Sequence, residues 1–262
     1  MLTIEDFNSA LDSLELGNKP AIAHASLRSF GPVRGGAETI LEALLASVSG
    51  LIMPAFTYKT MLTPEVGPPN NGLLYGRQRD LNRMAVPFQH ALVVDPLIGI
   101  LVERLRQYPG AMRTAHPILS FVGVHMGDAL VSQTLYHPFA PIGWLADKDG
   151  WVLLLGVDHS VNTSIHYAEK LAGRRQFLRW ALTGDRIVEC PGFPGCSEGF
   201  EAIRPEVEHV TRRVSVGEGF IEAIPIRPLF QAVEMCVKKD PLALLCQRDA
   251  CERCDAIRGL SG

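Results

Sequence analysis

Residues 151–170 read WVLLLGVDHSVNTSIHYAEK, passing from an unbroken apolar run through a polar turn into helical spacing. The run Trp151–Leu155 is too short for a helix of its own and has no polar alternate positions, so it predicts a strand buried on both faces. A strand covered on both sides demands a layer of helices above and below it, which places the chain among α/β proteins. Gly156 breaks the run, and a turn rich in Asp, His, Ser, Asn and Thr follows. Asn162 is a natural cap for the next helix. His166 and Glu169 lie three residues apart on that helix and so share a face. A carboxylate beside an imidazole fixes its tautomer and favours the cation formed when the ring takes a proton. Glu169 and Lys170 fit an ordinary solvated helix face equally well. Open α/β sheets present ligand chemistry at the carboxyl ends of their strands, where this turn lies.

A second strand–loop–helix unit lies near the start. Pro20–Ser26 reads as a buried strand, and the loop Leu27–Gly36 (LRSFGPVRGG) leads into a helix over Ala37–Val48, with Ile40, Leu41, Leu44 and Leu45 apolar. Free N–H groups and the dipole of such a helix favour an anion, and Arg28 and Arg34 add positive charge. The loop has neither the Lys-Ser/Thr ending of a Walker A motif nor the spacing of the dinucleotide fingerprint. A plain glycine-containing turn fits it as well.

Around these units the spacing predicts a helix over Thr3–Leu16, with Thr3 and Asp6 as a capping box, and a strand at Leu51–Pro54. Lys59–Arg83 is rich in Pro, Gly and Asn and reads as a functional loop or lid. Pro96–Tyr108 is expected as one amphipathic helix with Leu97, Ile100, Leu101 and Leu105 inward. His116 precedes Pro117 and reads as a ligand-facing group or, more simply, a hydrogen-bonded turn histidine. Gly127–Leu135 is expected as a short helix, Arg179–Glu222 as short strands joined by turns that expose Glu198, and Pro228–Lys239 as a last amphipathic helix.

A hydrophobic fraction of 47% against 20% charged residues supplies a core and excludes a disordered chain. The net charge of -3 argues against nucleic acid as the main partner. The first twenty residues have no basic or apolar signal-peptide region, and no apolar run approaches the ~18 residues of a membrane span, so no membrane is expected and the expected location is cytoplasmic. Cys246, Cys251 and Cys254 form C-x4-C-x2-C, one ligand short of a tetrahedral zinc or iron–sulfur cluster site, structural if present, that Cys190, Cys196 or Cys236 would complete. A C-terminal helix bearing reduced cysteines fits the same spacing. A hydrolase using His166 with Ser26, Ser164 or Cys196 is disfavoured: the G-x-S-x-G match at Gly195–Gly199 falls in a turn-rich loop, and Ser26 and Ser164 have no such pattern around them.

Taken in order, AHASLRSFGPVRGGAETILEAL, LIMPAFTY, LRQYPGAMRTAHPILSF, LLLGVDHSVNTSIHYAEK and CSEGFEAI resemble segments of the aminoglycoside 3-N-acetyltransferases, acyltransferases distinct from the common GNAT fold. The resemblance runs over roughly residues 20 to 230 and is loosest between Thr57 and Val102, a segment implied to help form the amine pocket. It implies a three-layer α/β/α fold around a central mixed sheet, with a smaller β-rich C-terminal portion. The chain would be a single domain over 1–262, with a family-like core at 1–240 and a cysteine-bearing tail at 241–262. Acetyl-CoA would be the co-substrate, held by Ser26, Leu27, Arg28, Val33, Arg34, Gly35 and Gly36, with its acyl arm near Leu119 and Ser120. His166 would be the general base, oriented by Glu169 or Asp158, with Thr163 stabilising the oxyanion. Asp80, His116, Asn162 and Glu198 are the candidates for the amine acceptor. A CoA-binding protein acting on another small amine, or as a sensor, is the alternative, and the chain would be a monomer or homodimer.

Overall fold

Short aliphatic segments separated by glycine-bearing turns pair into one large sheet, because strands of four or five residues with no polar face are satisfied only between neighbours. The computed structural model describes residues 1–77 and 79–259. Its strands are β1 (Ala21–Ala25), β2 (Leu51–Pro54), β3 (Met61–Leu62), β4 (Met112–Arg113), β5 (Phe121–Val124), β6 (Trp151–Leu155), β7 (Phe177–Thr183), β8 (Arg186–Phe193), β9 (Arg212–Val216) and β10 (Gly219–Pro225). Seven of them form a sheet in the order β4-β5-β2-β1-β6-β10-β9. At its centre β1 runs parallel to both β2 and β6, and the outer pairings are antiparallel. The sheet is therefore mixed, as expected.

The helices are α1 (Ile4–Ser13), α2 (Ala37–Ser47), α3 (Arg79–Arg83), α4 (Ile100–Gln107), α5 (Gly127–Val131), α6 (Ala140–Asp147), α7 (Thr163–Leu171), α8 (Arg204–Val207), α9 (Ile226–Lys239) and α10 (Glu252–Arg258). Successive residues of a strand face opposite sides, and the core divides accordingly. Ala21, Ala23, Leu153 and Leu155 pack with Phe7, Leu44 and Leu105 of α1, α2 and α4. Ile22, Val152 and Leu154 pack with Leu145, Ile165 and Leu229 of α6, α7 and α9. This is the three-layer α/β/α arrangement. Among the described residues no helix is long and apolar enough to cross a membrane.

Several expected elements are redrawn. Within the β-rich C-terminal portion, β9 and β10 complete the main sheet, while β7 and β8 join β3 in a second, three-stranded one. Strand β7 opens the expected β-like stretch two residues early, at Phe177, and β8 continues to Phe193. Helix α1 ends at Ser13, α5 at Val131, and α9 begins at Ile226. The single helix expected over Pro96–Tyr108 is a 3-10 turn at Pro96–Ile98 followed by α4. Gly99, at φ 96°, separates the two and resets the helical phase. Leu97 is consequently 87% exposed and Ile100 47%, where both were expected inward, and Val102 is buried instead.

Candidate functional site

The carboxyl ends of β1, β2 and β6 converge on one edge of the sheet. Two features draw the surrounding loops onto that edge. Gly156, just past β6, has φ 65°, and a Cβ there would lie 2.5 Å from that of Ser29. The Ser29 hydroxyl donates to the Gly156 carbonyl at 2.7 Å, fastening the Leu27–Phe30 turn over the end of β6. On the other flank, Arg113 donates to the carbonyls of Ala55, His90 and Leu92 and to the Ser120 hydroxyl, tying the segment before Asp95 to β2. Burial lowers the pKa of this guanidinium to about 10.

Between these loops lies a cavity of about 860 Å³, within the range of small-molecule sites. His24, Ser26, Leu27 and Arg28 line it from the first strand–loop unit, and Asn162, Thr163 and His166 from the second. The strap Val93–Glu103 forms one wall, and Phe193–Gly195, Ser197 and Arg253 form the wall opposite.

His166 is 8% exposed and held on three sides. Its Nδ1 lies 3.4 Å from Oε2 of Glu169, on the same face of α7 one turn on. The ring stacks on Phe139 at 6.0 Å between centroids and meets the edge of Phe200 at 4.7 Å. Glu169 is itself anchored: Arg174 Nε stands 3.1 Å from its Oε1, an ion pair by distance rather than an aligned hydrogen bond. Arg174 also donates to the carbonyls of Pro241 and Ala243, so the chain after α9 helps hold this pair. With Nδ1 toward the carboxylate, the ring has Nε2 left for chemistry on the cavity side.

The turn before α7 is built by capping. Asn162 accepts from the Ser164 N–H at 3.1 Å and contacts His159 Nδ1 through its amide nitrogen at 3.2 Å. Asp158 accepts from the Ser160 N–H and hydroxyl at 2.9 and 2.5 Å. Its carboxylate is thus a cap, and the group beside His166 is Glu169. Glu201 accepts from the His159 N–H at 2.9 Å, and Arg204 joins Glu201 to the fully buried Glu222 of β10. Burial disfavours the charged form of the neighbouring histidines. Burial, reinforced by His159 and His166, lowers the pKa of His24 to about 3, and burial lowers that of His159.

The other expected residues are placed as follows. Val33, Arg34, Gly35 and Gly36 are not among the residues lining the cavity. Val33 bridges to Leu2, the Arg34 N–H donates to the Leu2 carbonyl at 2.8 Å, and Gly36 caps α2. Leu119 and Ser120 are buried outside the lining, with Ser120 donating to the Ala55 carbonyl at 2.6 Å. His116 corrects the expectation of a ligand-facing group. Its Nδ1 accepts from the Ile118 and Leu119 N–H groups at 3.2 and 3.0 Å, and burial lowers its pKa to about 4. Asp80 stands on the exposed side of α3 beside Arg83, and Glu198 pairs with Arg248 at 2.6 Å, both outside the lining. The carboxylates that do line the cavity are Asp95 and Glu103. These, with Phe139, Phe200, Arg174 and Arg253, were not singled out from sequence. For Phe200 the signal was present in CSEGFEAI; for the others it lies only in tertiary proximity.

The chain is similar in sequence and fold to known proteins. The profile of the aminoglycoside 3-N-acetyltransferase family covers residues 22–238. An aminoglycoside N(3)-acetyltransferase III of Serratia marcescens is 33% identical over 237 residues, 78% of this chain and 84% of that protein. One from Salmonella is 34% identical over 217 residues, 70% of this chain and 71% of the relative. The solved apoenzyme of aminoglycoside acetyltransferase AAC(3)-IVa shares the fold with a TM-score of 0.79 at 26% identity, covering 99% of this chain and 98% of that one. With the profile spanning both strand–loop–helix units that build the cavity, the chain belongs to the aminoglycoside 3-N-acetyltransferase family, a family of acyltransferases.

Proposed function

We infer that this protein transfers the acetyl group of acetyl-CoA to an amine of an aminoglycoside, with His166 as general base. The observation that carries the reading is the clamped imidazole of His166, with a buried, Arg-anchored carboxylate behind it and a cavity in front. The amine nitrogen would attack the thioester carbonyl carbon as His166 Nε2 takes one of its protons. The C–S bond then breaks, and CoA leaves as a thiolate that is afterwards protonated. Glu169 is a positioning residue that favours the imidazolium formed in this step. Thr163, at the first turn of α7, is the candidate donor to the carbonyl oxygen as it becomes negative.

The same reading divides the cavity by charge. Ser26–Arg28 meets the phosphate-bearing end of acetyl-CoA, and the Gly36-capped start of α2 extends that anion-favouring edge beyond the cavity itself. Asp95, which also accepts from the Leu97 N–H at 3.0 Å, offers negative charge to a polycationic acceptor, whereas the Glu103 carboxylate is already paired with Arg106. Direct transfer with both substrates bound suits a base that needs only to place an amine against an activated thioester. Release of free CoA thiol tests it: turnover is expected with acetyl-CoA and a panel of aminoglycosides. CoA binding by calorimetry without turnover on any of them would instead mark a CoA-binding protein that acts elsewhere.

A further inference from the structure

The four cysteines Cys196, Cys246, Cys251 and Cys254 lie far apart in sequence or on separate turns, yet their sulfurs are all within 4.8 Å of one another. All four are buried, and Cys246 and Cys254 approach to 3.4 Å. Three structural units contribute: the loop after β8, the segment after α9, and the start of α10. Sulfurs bound to one zinc at about 2.3 Å stand roughly 3.8 Å apart, so this quartet is the size of a tetrahedral tetrathiolate site. C-x2-C at Cys251 and Cys254 is a common ligand spacing for structural zinc. Cys190 and Cys236, the remaining cysteines, lie outside the group.

We propose that Cys196, Cys246, Cys251 and Cys254 bind one zinc ion as a closed structural site, and that this ion fixes one wall of the acyl-transfer cavity. Binding converts the thiols to thiolates and releases their protons to solvent. The arginines around the site fit a cluster of negative sulfurs. Arg258 donates to the Cys246 carbonyl, Arg253 donates to that of Gly195 at 2.9 Å, and Arg248 pairs with Glu198 at 2.6 Å. The link to the cavity is sequential as well as spatial. Gly195 and Ser197 line the cavity on either side of Cys196, and Arg253 lines it next to Cys254. A seven-residue helix such as α10 is not stable by itself; Ala256 and Ile257 tie one face to the main core, while on the sulfur side the cysteines have only Leu245 and Ile257 beside them. One ion joining three segments supplies what that packing lacks.

That the wall formed by Phe193–Gly195, Ser197 and Arg253 belongs to an acyl-transfer cavity rests on the proposed function, but the metal does not. Elemental analysis of protein purified without chelator therefore decides the site whether or not any amine is acetylated. One equivalent of zinc per chain is expected, falling below stoichiometry in Cys254→Ser. Should that variant fail to fold, the wild type suffices. Cobalt exchange is expected to give the visible absorption of a tetrahedral tetrathiolate, and zinc removal to lower Tm and speed amide exchange in residues 194–199 and 244–258. Stoichiometric iron in place of zinc, or two disulfides without metal, would overturn the assignment. Unchanged exchange in residues 194–199 after removal would overturn the role in the wall.

Discussion

His166 owes its proposed role to what stands behind and beside it. The i,i+3 spacing to Glu169 was legible in the sequence because both residues belong to one helix, where spacing fixes direction. The groups that turn this pair into a rigid unit were not legible. Phe139 comes from before α6 and Phe200 from the loop after β8, and nothing local announces that either meets an imidazole. His116 is the contrast: of the two readings open to this His-Pro pair, the simpler one holds, its Nδ1 accepting from two backbone N–H groups. If Glu169 orients the ring, Glu169→Gln keeps the shape but removes the charge that favours the imidazolium. Its kcat is expected to fall, by less than the roughly 10²–10⁴-fold contribution of a general base itself, while KM for acetyl-CoA stays near wild type. Steady-state kinetics across pH checks this, and an unchanged kcat would assign Glu169 to packing alone.

At the scale of elements, the strand–turn–helix units around β1 and β6 were legible because apolar runs ended by glycine leave few alternatives. The strap and the helix after it were not. A single glycine at position 99 changes the phase of an otherwise periodic segment, turning Leu97 outward at the cavity rim. Gly156 is the element-level counterpart on the other side. Its positive φ and the 2.5 Å approach of Ser29 leave no room for a side chain. Gly156→Ala is expected to cost at least the ~1–3 kcal/mol of a strained left-handed residue. By displacing the Leu27–Phe30 turn, it is also expected to weaken CoA binding. Denaturant unfolding and calorimetry measure the two effects, and a variant as stable and as CoA-competent as wild type would contradict this view of the joint.

In the whole molecule, the three-layer core was readable from element order, since buried parallel strands must be covered on both faces. The closing of the cavity was not. One wall comes from β8 and α10, which approach it from a second sheet and the C-terminal segment, and such long-range placement leaves no periodic trace. The account makes these parts converge on one event, removal of an amine proton by His166 beside a bound thioester. Mass spectrometry of an aminoglycoside incubated with acetyl-CoA and either wild type or His166→Ala tests that event most directly, with CoA affinity measured on both proteins. A single added acetyl group with wild type, a rate reduced by roughly 10²-fold or more in the variant, and similar CoA affinities are expected. Equal acetylation by both proteins would contradict the account.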